Sequence, residues 1–281
     1  MRVAITGASG LLGTRIAAAL TARGDDVTTI SLRTGAPDPS ALSGRDAIVH
    51  LAGENVAQRW TDRARAEIRA SREQGTRRLV EAIQNADPRP RSLISASAVG
   101  YYGPHGDEPV DEDTPPGTGF LADVCAAWER EATRAREHGL RVVTVRTGVV
   151  LDPHGGALAK MLTPFKLGIG GPVAGGRQYM PWIHADDVAG VYLHALDTDT
   201  EGPLNATAPT PVTNAAFSRA LGRALHRPAV APIPAAAIRL LYGDMAEIVT
   251  TGQRALPKRT LASGYAYRHP ELDEALRAAI R

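Results

Sequence analysis

Three glycines, Gly7, Gly10 and Gly13, stand three apart in the stretch Thr6-Gly7-Ala8-Ser9-Gly10-Leu11-Leu12-Gly13, directly after the apolar run Arg2-Val3-Ala4-Ile5. Their type and spacing suit the holding of a diphosphate. Gly7 lets the chain turn sharply out of a strand, Gly10 leaves no side chain between backbone and pyrophosphate, and Gly13 lets the following helix sit close to a sheet. The first free N–H groups of that helix, in the segment Ser9, Gly10, Leu11 and Leu12, would then carry the anion. Spaced glycines also recur by chance in a chain with 28 of them, so context decides. Here a strand precedes, a helix runs through residues 11–20, Gly24 stops it, and a second strand covers residues 27–32. The combination predicts a dinucleotide site.

The end of the second strand reads Ile30-Ser31-Leu32-Arg33-Thr34. A carboxylate there would accept from the adenosine ribose of NAD, and would repel a 2′-phosphate. None stands there. Arg33 offers a bidentate guanidinium to such a phosphate, with Ser31 or Thr34 adding a hydroxyl, so NADP is preferred over NAD. The bland alternative is a solvated arginine past a strand end. Arg15, one turn into the first helix, is a second candidate phosphate contact.

The elements that must position these residues alternate through the first two thirds of the chain. Strands are expected at residues 47–51, 92–97 and 141–146, with helical stretches at 60–83 and 121–138 between them. This pattern gives an α/β fold, a doubly wound parallel Rossmann-type sheet whose ligands gather at the strand carboxyl ends, with a smaller substrate-side carboxy-terminal lobe. Residues 1–150 are expected to form the dinucleotide-binding domain, with return segments around 184–207, and residues 151–281 mainly the substrate-side lobe. The Gly- and Pro-rich stretch 148–182 reads as a substrate-side insertion broken by a helix at 157–165. His184-Ala185-Asp186-Asp187 precedes a helix at 188–196, with Asp186 or Asp187 as its cap.

Composition narrows the function classes. The 281 residues carry 32 basic and 30 acidic side chains, and a net charge of +2 offers no argument for nucleic acid. The single cysteine, Cys125, excludes an internal disulfide and fits a reducing compartment. No apolar run reaches bilayer length, and the first residues form a core strand with no signal-peptide pattern, so a cytoplasmic protein with no membrane partner is expected. The eight histidines show no paired ligand spacing, so no metal is expected. Ser97 lacks a Gly-x-Ser-x-Gly setting, which argues against a hydrolase.

With these residues in view, the chain resembles the extended short-chain dehydrogenase/reductases of the NAD-dependent epimerase/dehydratase family, in a subgroup with a small uncharacterised carboxy-terminal domain. The resemblance rests on Thr6 to Gly13, on His50-Leu51-Ala52-Gly53, on the run from Ser95 to Gly103, on Arg146-Thr147-Gly148-Val149-Val150-Leu151 and on the run from Trp182 to Val188. The subgroup match rests on residues 162–168 and 252–259. It implies that Leu51, Ala52 and Gly53 line the cofactor, that Ser95 and Ala96 pack near the nicotinamide ribose, and that Gly148 and Val149 lie beside the nicotinamide. Ser97 matches the family's active-site serine. The family also places a Tyr and, one helical turn later, a Lys at the start of the next helix. By position those sites are Phe120 and Val124, which can neither transfer a proton nor carry charge.

Tyr101 and Tyr102, in a Gly-bounded loop just past Ser97, are the candidate replacements, against a packing role for both. Asp123 and Cys125 lie on the helix beside the missing pair. His184, the polar loop His105, Asp107 and Glu108, and Arg177 with Gln178 are further residues that could face substrate, each with a structural alternative. Two functions compete. One is an NADP-dependent oxidoreductase or epimerase-like enzyme acting on a small hydroxyl or carbonyl compound, with Ser97, Tyr101 and Tyr102 at its catalytic site. The other is a non-catalytic nucleotide-binding regulatory or scaffold protein. The two long helices are the surfaces through which a homodimer would pair.

Overall fold

The computed structural model describes residues 1–33 and 35–280; Thr34, named above beside Arg33, lies outside the described residues. Alternating apolar residues build a sheet buried on both faces, the burial that parallel strands require. Val3, Ile5, Val49, Ile94 and Val143 point to one face, while Ala4, Ile48, Leu93 and Val142 point to the other. The strands are β1 (Arg2–Thr6), β2 (Asp26–Ile30), β3 (Ala47–His50) and β4 (Ser92–Ala98). After a two-residue β5 (Pro109–Val110) come β6 (Arg141–Thr147), β7 (Val149–Leu151), β8 (Tyr179–Met180), β9 (Trp182–His184) and β10 (Gly202–Ala206). Six of them pair in the order β10-β6-β4-β3-β1-β2, every pair parallel. The chain leaves β1 toward β2 and returns to its other side as β3, so the switch point lies between β1 and β3.

Helix α1 (Leu11–Ala22) packs with Ile16 and Leu20 on the first face. After the single turn α2 (Pro39–Leu42), helix α3 (Asp62–Gln84) covers the second face through Leu79, Val80 and Ile83. It is joined there by α4 (Phe120–Thr133). The expected helix over 121–138 is therefore an α-helix that tightens into a 3-10 turn at Arg134–His138 before Gly139. Helix α5 (Gly156–Lys166) precedes α6 (Ala185–Asp197), which begins three residues earlier than its apolar pattern suggested. Its cap is not Asp186 or Asp187 but His184, whose Nδ1 accepts from the Asp186 N–H at 3.2 Å.

The lobe follows β11 (Val212–Thr213) and α7 (Asn214–Leu225). It comprises α8 (Ala235–Tyr242), the turn α9 (Glu247–Thr250), β12 (Arg254–Ala255), α10 (Lys258–Ala262) and α11 (Leu272–Ala279). Two buried carboxylates stitch it to the sheet. Asp187 accepts from the Tyr265 hydroxyl and from the N–H groups of Arg268 and His269 at 2.7–3.0 Å. Glu112 accepts from the N–H of Asn205 on β10 and from those of Arg259 and Thr260 in α10. Beside it, β5 pairs with β12. These pairings between distant two-residue strands were not legible as strands in the sequence. Among the described residues no helix is long and apolar enough to cross a membrane.

Glu112→Ala leaves two buried N–H groups, those of Asn205 and Thr260, without an acceptor, each costing about 1–3 kcal/mol, and releases the part-buried N–H of Arg259 as well. The expected loss is about 3 kcal/mol or more, read as a lowered urea midpoint, and the lobe should become protease-sensitive before the sheet.

Candidate nucleotide and active site

The glycine turn is shaped by contact distances. Gly7 has φ +72°, and a Cβ on it would stand 2.8 Å from the Ala52 nitrogen and the Leu51 carbonyl carbon. A Cβ on Gly13 would collide with the Gly7 carbonyl oxygen and the Ala8 backbone. The third glycine is open: Gly10 meets only the Gly7 oxygen at 3.3 Å, and as N-cap it brings no side chain to the first turn of α1, which carries no acidic residue either. Ser9 is exposed, and Leu11 and Leu12 are half-buried in the helix start. A cradle with bare N–H groups on one side and no room for a side chain beneath fits a dinucleotide diphosphate. A side chain at Gly7 or Gly13 would thus force backbone to shift, whereas Gly10 is open to approach.

Thr6 holds the neighbouring strand end in place. Its Oγ1 accepts from the N–H groups of Leu51 and Ala52 at 3.3 and 3.4 Å. It also bonds His50 Nδ1 at 2.7 Å, and His50 Nε2 reaches Thr76 Oγ1 at 2.9 Å. His50 is fully buried against Trp128, and burial, with the charge of Arg72 acting in the same direction, pushes its pKa down to about 3. Leu51, Ala52 and Gly53 therefore run directly beneath the glycine turn.

Arg33 is exposed and has no ion-pair partner among the described residues; its N–H is bonded to Ser31 Oγ at 3.3 Å. Arg15, in contrast, is committed to Asp152 and to Asp186, which corrects its reading as a phosphate contact. Gly148 is pressed against Pro181 and Thr207, and Val149 pairs in β7 with Trp182. Ser95 is buried with its hydroxyl on the Ala96 carbonyl at 3.3 Å, and Ala96 is buried beside it.

The candidate catalytic residues meet in one polar network. Ser97, 4% exposed, donates to Glu129 Oε1 at 2.6 Å. Arg146 grips both Glu129 oxygens at 2.9 Å, a bidentate pair. Arg146 Nη1 also donates to the Tyr102 hydroxyl at 3.0 Å, and Tyr102 donates to Asn205 Oδ1 at 2.7 Å. Tyr102 is wholly buried, and burial drives its phenol above its ordinary range against the pull of Arg146. Tyr101 alone of the three keeps a partly open ring, stacked on the Arg146 guanidinium at 3.5 Å; burial raises its phenol as well. Glu129 and Arg146 were not singled out in the sequence as site residues. The signal was a carboxylate on α4 and an arginine one residue before Thr147, interpretable only once β4, β6 and α4 are adjacent.

The Tyr and Lys positions are filled apolarly. Phe120 packs edge-on to Trp60 at 5.1 Å, and buried Val124 shares that cluster with Ile68 and Met245. Asp123 faces solvent, and burial pushes the Cys125 thiol up to about 12. The loop residue His105 gives its N–H to Gly252, and Gln178 bonds the carbonyls of Val173 and Val249, so both brace the lobe. Lys160 reaches the Ala57 carbonyl at 3.3 Å. The fold also gathers His184, Asp186 and His269 within 4.8 Å, a grouping that sequence spacing hides. Its two imidazoles stack at 4.0 Å, and His184 Nδ1 is already spent as the helix cap.

The amino-terminal part of the chain, residues 3–207, matches the model of the NAD dependent epimerase/dehydratase family, and residues 233–279 match a domain of unknown function, DUF1731. The human epimerase family protein SDR39U1 is 41% identical over 293 residues, spanning both chains whole. The Mycobacterium bovis epimerase family protein Mb2239 is 42% identical over 290 residues, covering 98% of this chain and 96% of its own. A crystal structure of human SDR39U1 with NADPH superposes with a TM-score of 0.94 at 38% identity over the full length of both. A nucleoside-diphosphate sugar epimerase from Corynebacterium glutamicum gives 0.80 at 32% identity, covering 98% of this chain and 57% of that one.

Two outcomes follow from the geometry. Gly13→Ala should destabilise the protein by about 1–3 kcal/mol or more, on the scale of overpacking, and lower its thermal midpoint more than Gly10→Ala does. His50 is held neutral, so its contribution is complete above pH 6.5 and is lost as pH falls toward about 3. Urea unfolding between pH 7 and 4 should show stability falling by up to about 1.4 kcal/mol per pH unit from this group, a slope that His50→Gln reduces.

Proposed function

The chain belongs to the NAD dependent epimerase/dehydratase family, and from that premise we propose that it is an NADP(H)-binding oxidoreductase or epimerase-like protein acting on a small hydroxyl or carbonyl compound. The observation that carries the reading is the cradle at Gly7, Gly10 and Gly13, with the bare amino end of α1 above it and Arg33, just past the end of β2, without an ion-pair partner among the described residues. The NADPH bound by the human relative supports the choice of nucleotide.

The α1 amino end and Gly10 would hold the diphosphate, and Arg33 the 2′-phosphate. Leu51, Ala52, Gly53, Ser95, Ala96, Gly148 and Val149 would line the remainder. When bound, NADP(H) supplies a ring that gives or takes hydride. The chain's own residues must position the substrate and move its proton. Glu129 occupies the Ser97 hydrogen, which leaves the serine lone pairs as its remaining polar function. Tyr102 is fixed at both ends of its hydroxyl and acts as a spacer for Arg146. Tyr101, partly open, is then the group that faces substrate.

One observation favours a second reading, a nucleotide-binding protein without turnover. Phe120 and Val124 are packed into an apolar cluster in place of a proton donor and its cation.

Titration with NADPH and NADH, followed by nucleotide fluorescence, tests the first claim. NADPH should bind at least tenfold more tightly, and Arg33→Ala should shrink that ratio to a few-fold. Failure of both nucleotides to bind overturns the proposal. Turnover on a panel of carbonyl compounds and nucleotide sugars separates the two readings: saturable NADPH binding with no change in its redox state on any of them supports the second.

A further inference from the structure

Beside Arg33, a second cation at the site, Arg72, has no counter-charge within ion-pair distance among the described residues. Arg15, Arg65, Arg77 and Arg146 each hold a carboxylate. Arg72, on α3, does not. Its Nη1 donates to the carbonyl of Glu54 at 2.9 Å and weakly to that of Ile68 at 3.4 Å, and its guanidinium lies 4.9 Å from the Trp128 ring centroid. Burial depresses its pKa, opposed by Cys125 and Glu54. Neither supplies a partner, because the buried Cys125 thiol stays neutral and Glu54 is exposed to water. Two backbone carbonyls satisfy one nitrogen. Nε and Nη2 have no protein acceptor among the described residues.

The place of this charge is informative. A Cβ on Gly53 would stand 3.0 Å from Arg72 Cζ and 3.2 Å from Nη2, so the guanidinium presses on the turn that continues β3. Leu51 and Ala52, the preceding residues, are those that touch Gly7. Cys125 lies close enough to act on its charge, is bonded to the Ala98 backbone at the end of β4 and adjoins Val124 in the chain. Arg72 thus stands at the carboxyl ends of β3 and β4, where ligands of a switched parallel sheet gather, and beside a helix turn that brings no cation of its own. Arg72 is half-buried, and its two nitrogens without a protein acceptor keep contact with water, so they are open to an oxygen-rich ligand that enters there.

We propose that Arg72 is a binding residue for the nicotinamide half of NADP(H), its free Nε–H and Nη2–H groups donating to hydroxyl oxygens of the distal ribose and supplying the positive charge that Val124 cannot. This rests on the dinucleotide reading above. It gives Gly53 a reason to be glycine, since a Cβ there would crowd the guanidinium.

Calorimetric titration of the full chain with three ligands tests the assignment: NADPH, 2′-phospho-ADP-ribose, and 2′-phospho-ADP, which ends at the diphosphate. Arg72→Met should weaken the first two at least tenfold and leave the third within twofold. Arg72→Lys should recover part of the loss. Equal binding of NADPH by Arg72→Met and the parent overturns the proposal, as does an equal loss for all three ligands, which would place the acceptor on the diphosphate or the effect in the fold. If Arg72→Met fails to fold, Arg72→Gln and Arg72→Lys carry the same comparison, with the same outcomes deciding. Absence of NADPH binding by the parent protein overturns the dinucleotide reading and this one together, whereas parent binding without an Arg72 effect overturns this one alone.

Discussion

The carbonyl of Gly7 is where three elements touch at the limit of van der Waals contact. It faces the Cα of Gly13 so closely that no side chain fits, and the Gly7 Cα lies against the Leu51–Ala52 peptide. Helix α1, strand β1 and the end of β3 are therefore locked to one another by excluded volume, and close packing of this kind has little compliance. Thr6 adds direction to the contact by bonding the two amides that follow β3. The open amino end of α1, the line of Leu51 to Gly53 and the setting of Arg72 against Gly53 all inherit their positions from it.

A second assembly, polar and buried, fixes the opposite side of the cleft. Removing Arg146 would strand the Glu129 carboxylate in a region where an unpaired charge is costly, and removing Glu129 would do the same to Arg146. Ser97, Tyr102 and Asn205 extend this pair from β4 through the loop after it to β10. The residues that resemble a catalytic set thus also hold three sheet strands and a loop in register. A site of this kind tolerates little motion in the serine, and leaves Tyr101 as the more open of its side chains.

The parallel sheet was legible because its strands are apolar, short and separated by helical periods, signals that survive without tertiary context. The ends were less so: β2 stops at Ile30 and not at Leu32, and β3 at His50 and not at Leu51, because backbone pairing stops where the chain lifts toward the ligand side. The glycine turn was legible through a steric rule that acts within a few residues. Arg72, Glu129 and Arg146 were not, since each looks like an ordinary charged residue on a helix or strand, and only burial and partners tell them apart. The pattern points to an aspartate as the cap of α6, whereas the imidazole of His184 is the cap. That freed Asp187 to bind the chain eighty residues on, a contact no local pattern reports.

The manner in which the carboxy-terminal lobe is held has a bearing on how such a chain can change over time. Glu112 and Asp187 grip mainly amide groups of the lobe, those of Arg259, Thr260, Arg268 and His269, and β12 docks on β5 by its backbone. Gln178 likewise bonds a carbonyl, that of Val249. Groups that every amino acid except proline possesses impose almost no demand on side-chain identity. The lobe's outward residues, among them Leu240 and Leu241 on α8, are free to drift and to be recruited for new specificities while its attachment survives unchanged. The demand on side-chain identity falls instead on two acidic residues of the sheet domain, Glu112 and Asp187, so the lobe is held by chemistry that it need not itself encode.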